Sequence, residues 1–173
     1  MKRIKISVNE RVLRCGPLCL SIRLGKNGWI GAALGREGDG KTPLGEYHLR
    51  FGLYRADRLQ MPPQHAERPL NFRPMQADDG WCDAADDPAY NRFVKLPYAA
   101  SHEALWREDG AYDIVLITSH NDSPPQAPLG SAVFIHIAQP DDRETLGCIA
   151  LTPDDMVKLL PHMCGDQIVE ISV

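Results

Sequence analysis

Apolar residues recur at every second position over much of this chain, and that period constrains the fold more than any other feature. "KRIKISV" (2–8) puts Ile4, Ile6 and Val8 on one side, and "LCLSIRL" (18–24) does the same with Leu18, Leu20, Ile22 and Leu24. "GEYHLRFGLY" (45–54) alternates again. A period of two sends successive side chains to opposite faces of a pleated strand. "YDIVLITS" (112–119) and "SAVFIHIA" (131–138) are instead dense in β-branched residues, the pattern of strands covered on both faces. A helix start is written at Thr152: a capping hydroxyl, Pro153 at the first helical position, then Asp154 and Asp155 in the first turn.

The chain therefore reads as mainly β with one or two short helices. Strands are expected at 3–8, 11–14, 18–24, 28–34, 45–54, 112–119, 131–138, 147–151 and 166–173, the first four as a meander joined by tight turns. Residues 55–110 are rich in Pro, Asp and Arg and keep no period. A segment of that length is too long for a structureless loop, so short turns and one helix near "SHEALWRE" (101–108) are expected, covering a cleft. A chain of 173 residues suits one domain, 1–173.

Charge excludes some function classes. The net charge is −4 and the isoelectric point about 5.8, against the basic face that nucleic-acid binding requires. No apolar run approaches the roughly 20 residues of a membrane helix. The basic start resembles the head of a signal peptide, but Lys5, Glu10, Arg11 and Arg14 interrupt the apolar stretch that should follow. Five cysteines, Cys15, Cys19, Cys82, Cys148 and Cys164, form an odd set without zinc-ribbon spacing. A reducing, cytoplasmic location is expected, with the periplasm or cell envelope as the alternative if an export signal belongs to the protein. No cofactor and no metal are expected.

"GREGDGKT" (35–42) satisfies the phosphate-binding loop pattern letter for letter. That loop must run into a helix whose first N–H groups face the phosphates. Here Pro43 follows and biases Thr42 away from the helical region, and an alternating strand comes next. It is read as a turn between strands.

The chemistry concentrates in "FIHIA" (134–138) and "TLGCIAL" (145–151). His136 sits in a strand of bulky apolar residues, where an imidazole needs a partner. Gly147 before Cys148 permits a close backbone approach. The bare pattern leaves two readings open: a satisfied core histidine beside a small buried thiol, or a nucleophile beside its base. The second is the minimum for acyl transfer, since a free thiol is only a few per cent thiolate at neutral pH.

Taken in order, "DGKTPLGEYHLR", "GWCD", "YNRFV", "LWREDGAYDIVLI", "GSAVFIHIA" and "TLGCIAL" resemble the L,D-transpeptidase (YkuD-type) catalytic domain, closest to its compact branch with an H…TxGC motif. The resemblance runs from about residue 28 to the C-terminus. It implies a β-sandwich-type domain whose cleft accepts peptidoglycan stem peptides or muropeptides. Cys148 would attack the carbonyl between meso-diaminopimelate and the terminal D-alanine, His136 would move the proton, and the amides of Gly147 and Cys148 would hold the oxyanion. The best-known members carry His before the glycine and Arg or Asn two residues after the cysteine; here these are Leu146 and Ala150. His136 is also nearer the cysteine than in those members. Thr145 keeps its family position and shapes the loop, while His120 is an alternative base or substrate contact. Trp81 and Asp83 in "GWCD", and Arg55 and Arg58, are further substrate-binding candidates, and Lys41 and Thr42 could border the pocket.

An acceptor of water would give an L,D-carboxypeptidase trimming tetrapeptides to tripeptides during cytoplasmic peptidoglycan recycling. An acceptor amine would give a cross-linking or D-amino-acid-exchanging transpeptidase in the envelope. A non-catalytic peptidoglycan-binding module is the reading from another class, motivated by the absent His and Arg. A papain-like protease is excluded by order, since such enzymes place cysteine before histidine. Oligomeric state is not written in the sequence.

Overall fold

The computed structural model describes residues 3–63, 65 and 67–173; Met1 and Lys2 of the basic start, and Gln64 and Ala66 of the central excursion, lie outside the described residues. Strands β1 (Ile4–Ser7), β2 (Val12–Cys15) and β3 (Leu18–Arg23) pair antiparallel in succession, as the alternation predicts. Their inward residues Ile4, Ile6, Leu13, Leu20 and Ile22 are buried. The fourth expected strand departs from the meander. Strand β4 (Trp29–Gly31) pairs parallel with the start of β5 (Thr42–Tyr54), and Ala32–Leu34 form a 3₁₀ turn. The free edge of β3 is taken by a distant partner instead.

Strand β5 spans thirteen residues and serves two sheets. Its first half (Gly45–His48) pairs with the C-terminal strand, Ile168–Ser172, and its second half (Leu49–Tyr54) with Ile114–Thr118. The outer strands of the central excursion, β6 (Phe72–Pro74), β7 (Asp79–Cys82), β8 (Arg92–Lys95) and β9 (His102–Ala104), come next in the chain. Then follow β10 (Ile114–Thr118), β11 (Phe134–Ile137), β12 (Ile149–Leu151), helix α1 (Pro153–Leu159) and β13 (Ile168–Ser172). The main-chain ladder runs β5–β10–β11–β12–β3–β2–β1–β13 and returns to β5, so the two sheets share β5 at one seam and β3 at the other. Ile135, Ile137, Ile149 and Leu151 point into the core between the sheets, with Ile4, Leu13 and Val169 opposite.

The other face of β10 and β11 is also covered, which explains their continuous apolar character. Val115, Ile117 and Phe134 pack against Met75, Trp81 and Leu105 of the excursion and against Tyr112 just after it. The excursion builds its own small sheet, in the order β8–β7–β9. The helix expected near "SHEALWRE" is absent. His102, Glu103 and Ala104 pair with Cys82, Trp81 and Gly80, and this ladder overrides a helical preference worth only tenths of a kcal/mol per residue. Helix α1 begins as read: Thr152 Oγ1 accepts from the Asp155 amide at 3.2 Å, and Met156 and Leu159 are buried. Among the described residues no helix is long and apolar enough to cross a membrane.

Candidate active site

Strands β11 and β12 are parallel neighbours, with Ile135 opposite Ile149 and His136 opposite Ala150. The two-residue period sends Phe134 and His136 of one strand, and Cys148 and Ala150 of the other, to the face away from the main core. His136 and Cys148 thereby line one cleft of about 700 Å³.

His136 Nδ1 lies 2.8 Å from the Ile137 carbonyl. A carbonyl only accepts, so this bond puts the ring proton on Nδ1 and leaves Nε2 as the basic nitrogen. The Tyr112 ring meets the imidazole edge-on at 5.1 Å. Burial pushes the His136 pKa down to about 4, so the ring rests neutral. Half-buried Cys148 donates its thiol proton to the Ala132 carbonyl at 3.0 Å, and its sulfur accepts from the Phe134 amide at 3.4 Å. Burial first, then the charge of Glu103, push the thiol up to about 12, against the pull of the Phe134 N–H. No hydrogen bond joins the thiol to the imidazole among the described residues. The resting pair is a neutral thiol parked on Ala132 and a neutral base on the neighbouring strand.

The loop before Cys148 is held from both sides. Thr145 donates from Oγ1 to the Cys148 carbonyl at 2.7 Å and accepts from the Gly147 amide at 3.1 Å. Its backbone bonds Leu24 and Lys26 across the loop (2.8 and 2.9 Å). Gly147 has φ of 137°, and a Cβ there would stand 2.9 Å from the Lys41 carbonyl, so only glycine fits. Because the Gly147 amide is spent on Thr145, the expected pair of oxyanion donors reduces to the Cys148 amide. Where the resemblance placed His and Arg or Asn, the cleft wall is hydrocarbon: Leu146 is 75% exposed and Ala150 is buried. Thr42 opens β5, and its hydroxyl accepts from the Gly25 amide at 2.8 Å, so the phosphate-loop look-alike is a turn that runs into a strand, with Gly35–Asp39 and Lys41 on the cleft wall.

One side chain that the sequence did not single out organises the thiol's acceptor. Asn91, only 2% exposed, accepts at Oδ1 from Trp81 Nε1 (2.9 Å) and from the Ala132 amide (3.1 Å). Its Nδ2 donates to the carbonyls of His120 (3.0 Å) and Asn121 (2.7 Å). Asn91, Asn121 and Ala132 all have positive φ (54°, 48° and 51°), backbone strain of the sort that collects at functional sites.

The remaining candidates divide clearly. Asp83, His120, Thr145 and Lys41 line the cleft. Trp81 is buried and acts behind the wall, through Asn91 and an edge-on contact with Phe134 at 5.1 Å. Arg55 and Arg58 do not serve as cleft arginines. Arg55 is 2% exposed, bonded to Asp57 and to the Arg107 carbonyl and stacked 3.6 Å from the Trp106 ring; Arg58 pairs with Asp113 and Glu108. The arginines that do line the cleft are Arg36, Arg107 and Arg143, of which Arg107 is held by Asp109 and lies 5.0 Å from the Tyr112 ring. Tyr112 in turn donates to Glu103 at 2.6 Å, beside the thiol. Arg107 and Tyr112 lie inside the quoted "LWREDGAYDIVLI" block, so the block was a signal even where the individual residues were not. Among the described residues no cluster of His, Cys, Asp and Glu could hold a metal ion.

No curated protein matches. Among solved structures, the chain is similar to Mycobacterium tuberculosis L,D-transpeptidase 1, at 12% identity and a TM-score of 0.45, covering 99% of this chain and 62% of that one. A family model of the L,D-transpeptidase catalytic domain (YkuD) matches residues 2–171, nearly the whole chain. A cysteine and a histidine facing one cleft from adjacent strands thus stand within a sequence that belongs to the YkuD family of L,D-transpeptidase catalytic domains.

Proposed function

We propose that Cys148 is the nucleophile of an acyl-transfer enzyme cutting the bond between meso-diaminopimelate and terminal D-alanine of peptidoglycan peptides, with water as the main acceptor. The observation that carries this reading is the shared cleft face of Cys148 and His136, with His136 Nδ1 anchored so that Nε2 is the basic atom. Substrate entry displaces the thiol from the Ala132 carbonyl toward His136. The Sγ–H proton passes to Nε2 as sulfur bonds the carbonyl carbon, and the Cys148 amide faces the developing oxyanion. His136 returns that proton to the departing D-alanine nitrogen as the C–N bond breaks, leaving a thioester. Water then gives a proton to His136 as its oxygen bonds the thioester carbon, and His136 passes that proton to the sulfur as the C–S bond breaks, releasing the tripeptide carboxyl and restoring the thiol.

An odd number of cysteines, with no disulfide among the described residues, supports a reducing compartment, where soluble turnover peptides would meet abundant water. On this reading the protein is a cytoplasmic L,D-carboxypeptidase of peptidoglycan recycling. The test is mass spectrometry of a diaminopimelate tetrapeptide incubated with wild type, Cys148→Ala and His136→Ala. Tripeptide from wild type alone is the expected result. Dimer or exchanged D-alanine without tripeptide would assign a transpeptidase. Turnover by His136→Ala would move the base to another residue.

A further inference from the structure

Three buried side-chain polar atoms have no hydrogen-bond partner among the described residues: Asp83 Oδ1, His120 Nδ1 and Ser131 Oγ. All three residues line the cleft that holds Cys148. Buried polar atoms are normally satisfied, so three orphans on one wall mark groups whose partners arrive with a ligand.

Their chemistry limits that ligand. Five carboxylate residues line this cleft, Glu37, Asp39, Asp83, Glu103 and Glu144, and four are already engaged: Tyr90 donates to Glu37 at 2.7 Å, Tyr112 to Glu103 at 2.6 Å, the amides of Arg36 and Lys41 to Asp39 at 3.0 and 2.8 Å, and Arg11 pairs with Glu144. Asp83 Oδ1 is the acceptor left over. His120 is 5% exposed and its Nε2 faces the backbone at Leu129–Gly130, where a Cβ on Gly130 would stand 3.2 Å away. Its Nδ1 is then an acceptor too, because a neutral ring carries one proton. Ser131 can accept or donate. Gly130 joins the group together: its amide donates to Tyr90 Oη at 3.0 Å, its carbonyl accepts from Asn121, and Ser131 follows directly. A wall offering two obligatory acceptors and a hydroxyl is complementary to a cationic group with several N–H donors.

We propose that this wall, with Asp83 as its charged member, binds the free ammonium at the end of the substrate's diamino-acid side chain and so determines specificity for it. The proposal rests on the peptide substrate named above, and it deepens that reading. An ammonium brings three donors and a positive charge, and it would satisfy atoms that water or a neutral side chain satisfies less well.

The test uses the inactive Cys148→Ala protein, so binding is read without turnover. Calorimetry compares a tetrapeptide carrying a free side-chain amine with the same peptide N-acetylated at that amine. The expected result is at least about tenfold weaker binding of the acetylated peptide, a difference that shrinks below about twofold in Cys148→Ala/Asp83→Asn. Ser131→Ala in the same background should weaken the free-amine peptide alone. Equal affinity for the two peptides overturns the proposal while leaving the peptide reading intact, and so does a difference that survives Asp83→Asn. Binding of neither peptide overturns both. Strong discrimination by a wild type that releases no tripeptide would keep the ammonium site and reject the hydrolase. Melting temperatures of each variant separate these outcomes from misfolding.

Discussion

Replacing Asn91 by alanine tests the idea that the thiol's position is set from behind the cleft wall. The substitution removes four hydrogen bonds at a site 2% exposed. Two donors, Trp81 Nε1–H and the Ala132 N–H, lose their acceptor, and an orphaned buried donor costs about 1–3 kcal/mol. Alanine also tolerates the left-handed φ of 54° less well than asparagine, adding about 1 kcal/mol. A total near 4 kcal/mol converts to a melting temperature about 8–16 °C lower for a chain of this size. Because the Ala132 carbonyl is the thiol's acceptor, its drift displaces Sγ, and a misplacement of about 1 Å costs on the order of a hundredfold in turnover. Trp81→Phe is the comparator. It removes the indole donor and part of a buried ring but leaves Asn91 bonded to Ala132, so it should cost about 2 kcal/mol. Thermal denaturation and tripeptide release would be measured on both. A melting point for Asn91→Ala within about 2 °C of wild type, or turnover no worse than that of Trp81→Phe, would refute the reasoning.

Three other outcomes follow from the same geometry. Gly147→Ala must hold a Cβ 2.9 Å from the Lys41 carbonyl at φ 137°, so it should lose about 2–3 kcal/mol in urea denaturation and nearly all turnover; a neutral effect would mean that the loop is loose. His136 has a folded pKa near 4 against an ordinary 6.5, so the unfolded chain takes the proton first on acidification. The stability due to its neutral form is complete above pH 6.5 and lost as pH falls through 4, about 3 kcal/mol in all, and His136→Gln should flatten that part of the pH profile in denaturant titrations. Cys148, pushed up to about 12, should alkylate more slowly with iodoacetamide than exposed Cys19 at pH 7.5, its rate still rising above pH 9; a plateau near pH 8 would show an activated resting thiol.

Much of the fold was legible because it is written in local periods. The alternation at Ile4, Ile6, Leu20 and Ile22 gave the strands and their buried faces, and Thr152-Pro153 gave the helix start. Pairing was less legible. Strand β4 joins β5 and not β3 because β12, more than a hundred residues away, occupies that edge, and no local pattern reports such a contact. The same limit explains "SHEALWRE", whose helical composition yields to a ladder with β7. In the site, "FIHIA" and "TLGCIAL" announced themselves by a polar residue among apolar ones and a glycine before a cysteine. Asn91 did not, since its role lies in four partners from distant segments. Arg55 and Arg58 were misplaced because a guanidinium looks the same in sequence whether it meets a substrate or, as here, Asp57, Trp106 and Asp113.

Strand β5 sets how this protein should lose activity on denaturation. It is the seam of both sheets, and the residues at its start brace the loop before Cys148: the Lys41 carbonyl abuts Gly147, and the Thr42 hydroxyl holds the amide of Gly25, which bridges to Thr145. The loop therefore has no hinge of its own about which to fray. Catalytic competence and global cooperativity should vanish in a single transition, and the amides around Gly147 should exchange with solvent only as slowly as those at the centre of the β-sheet.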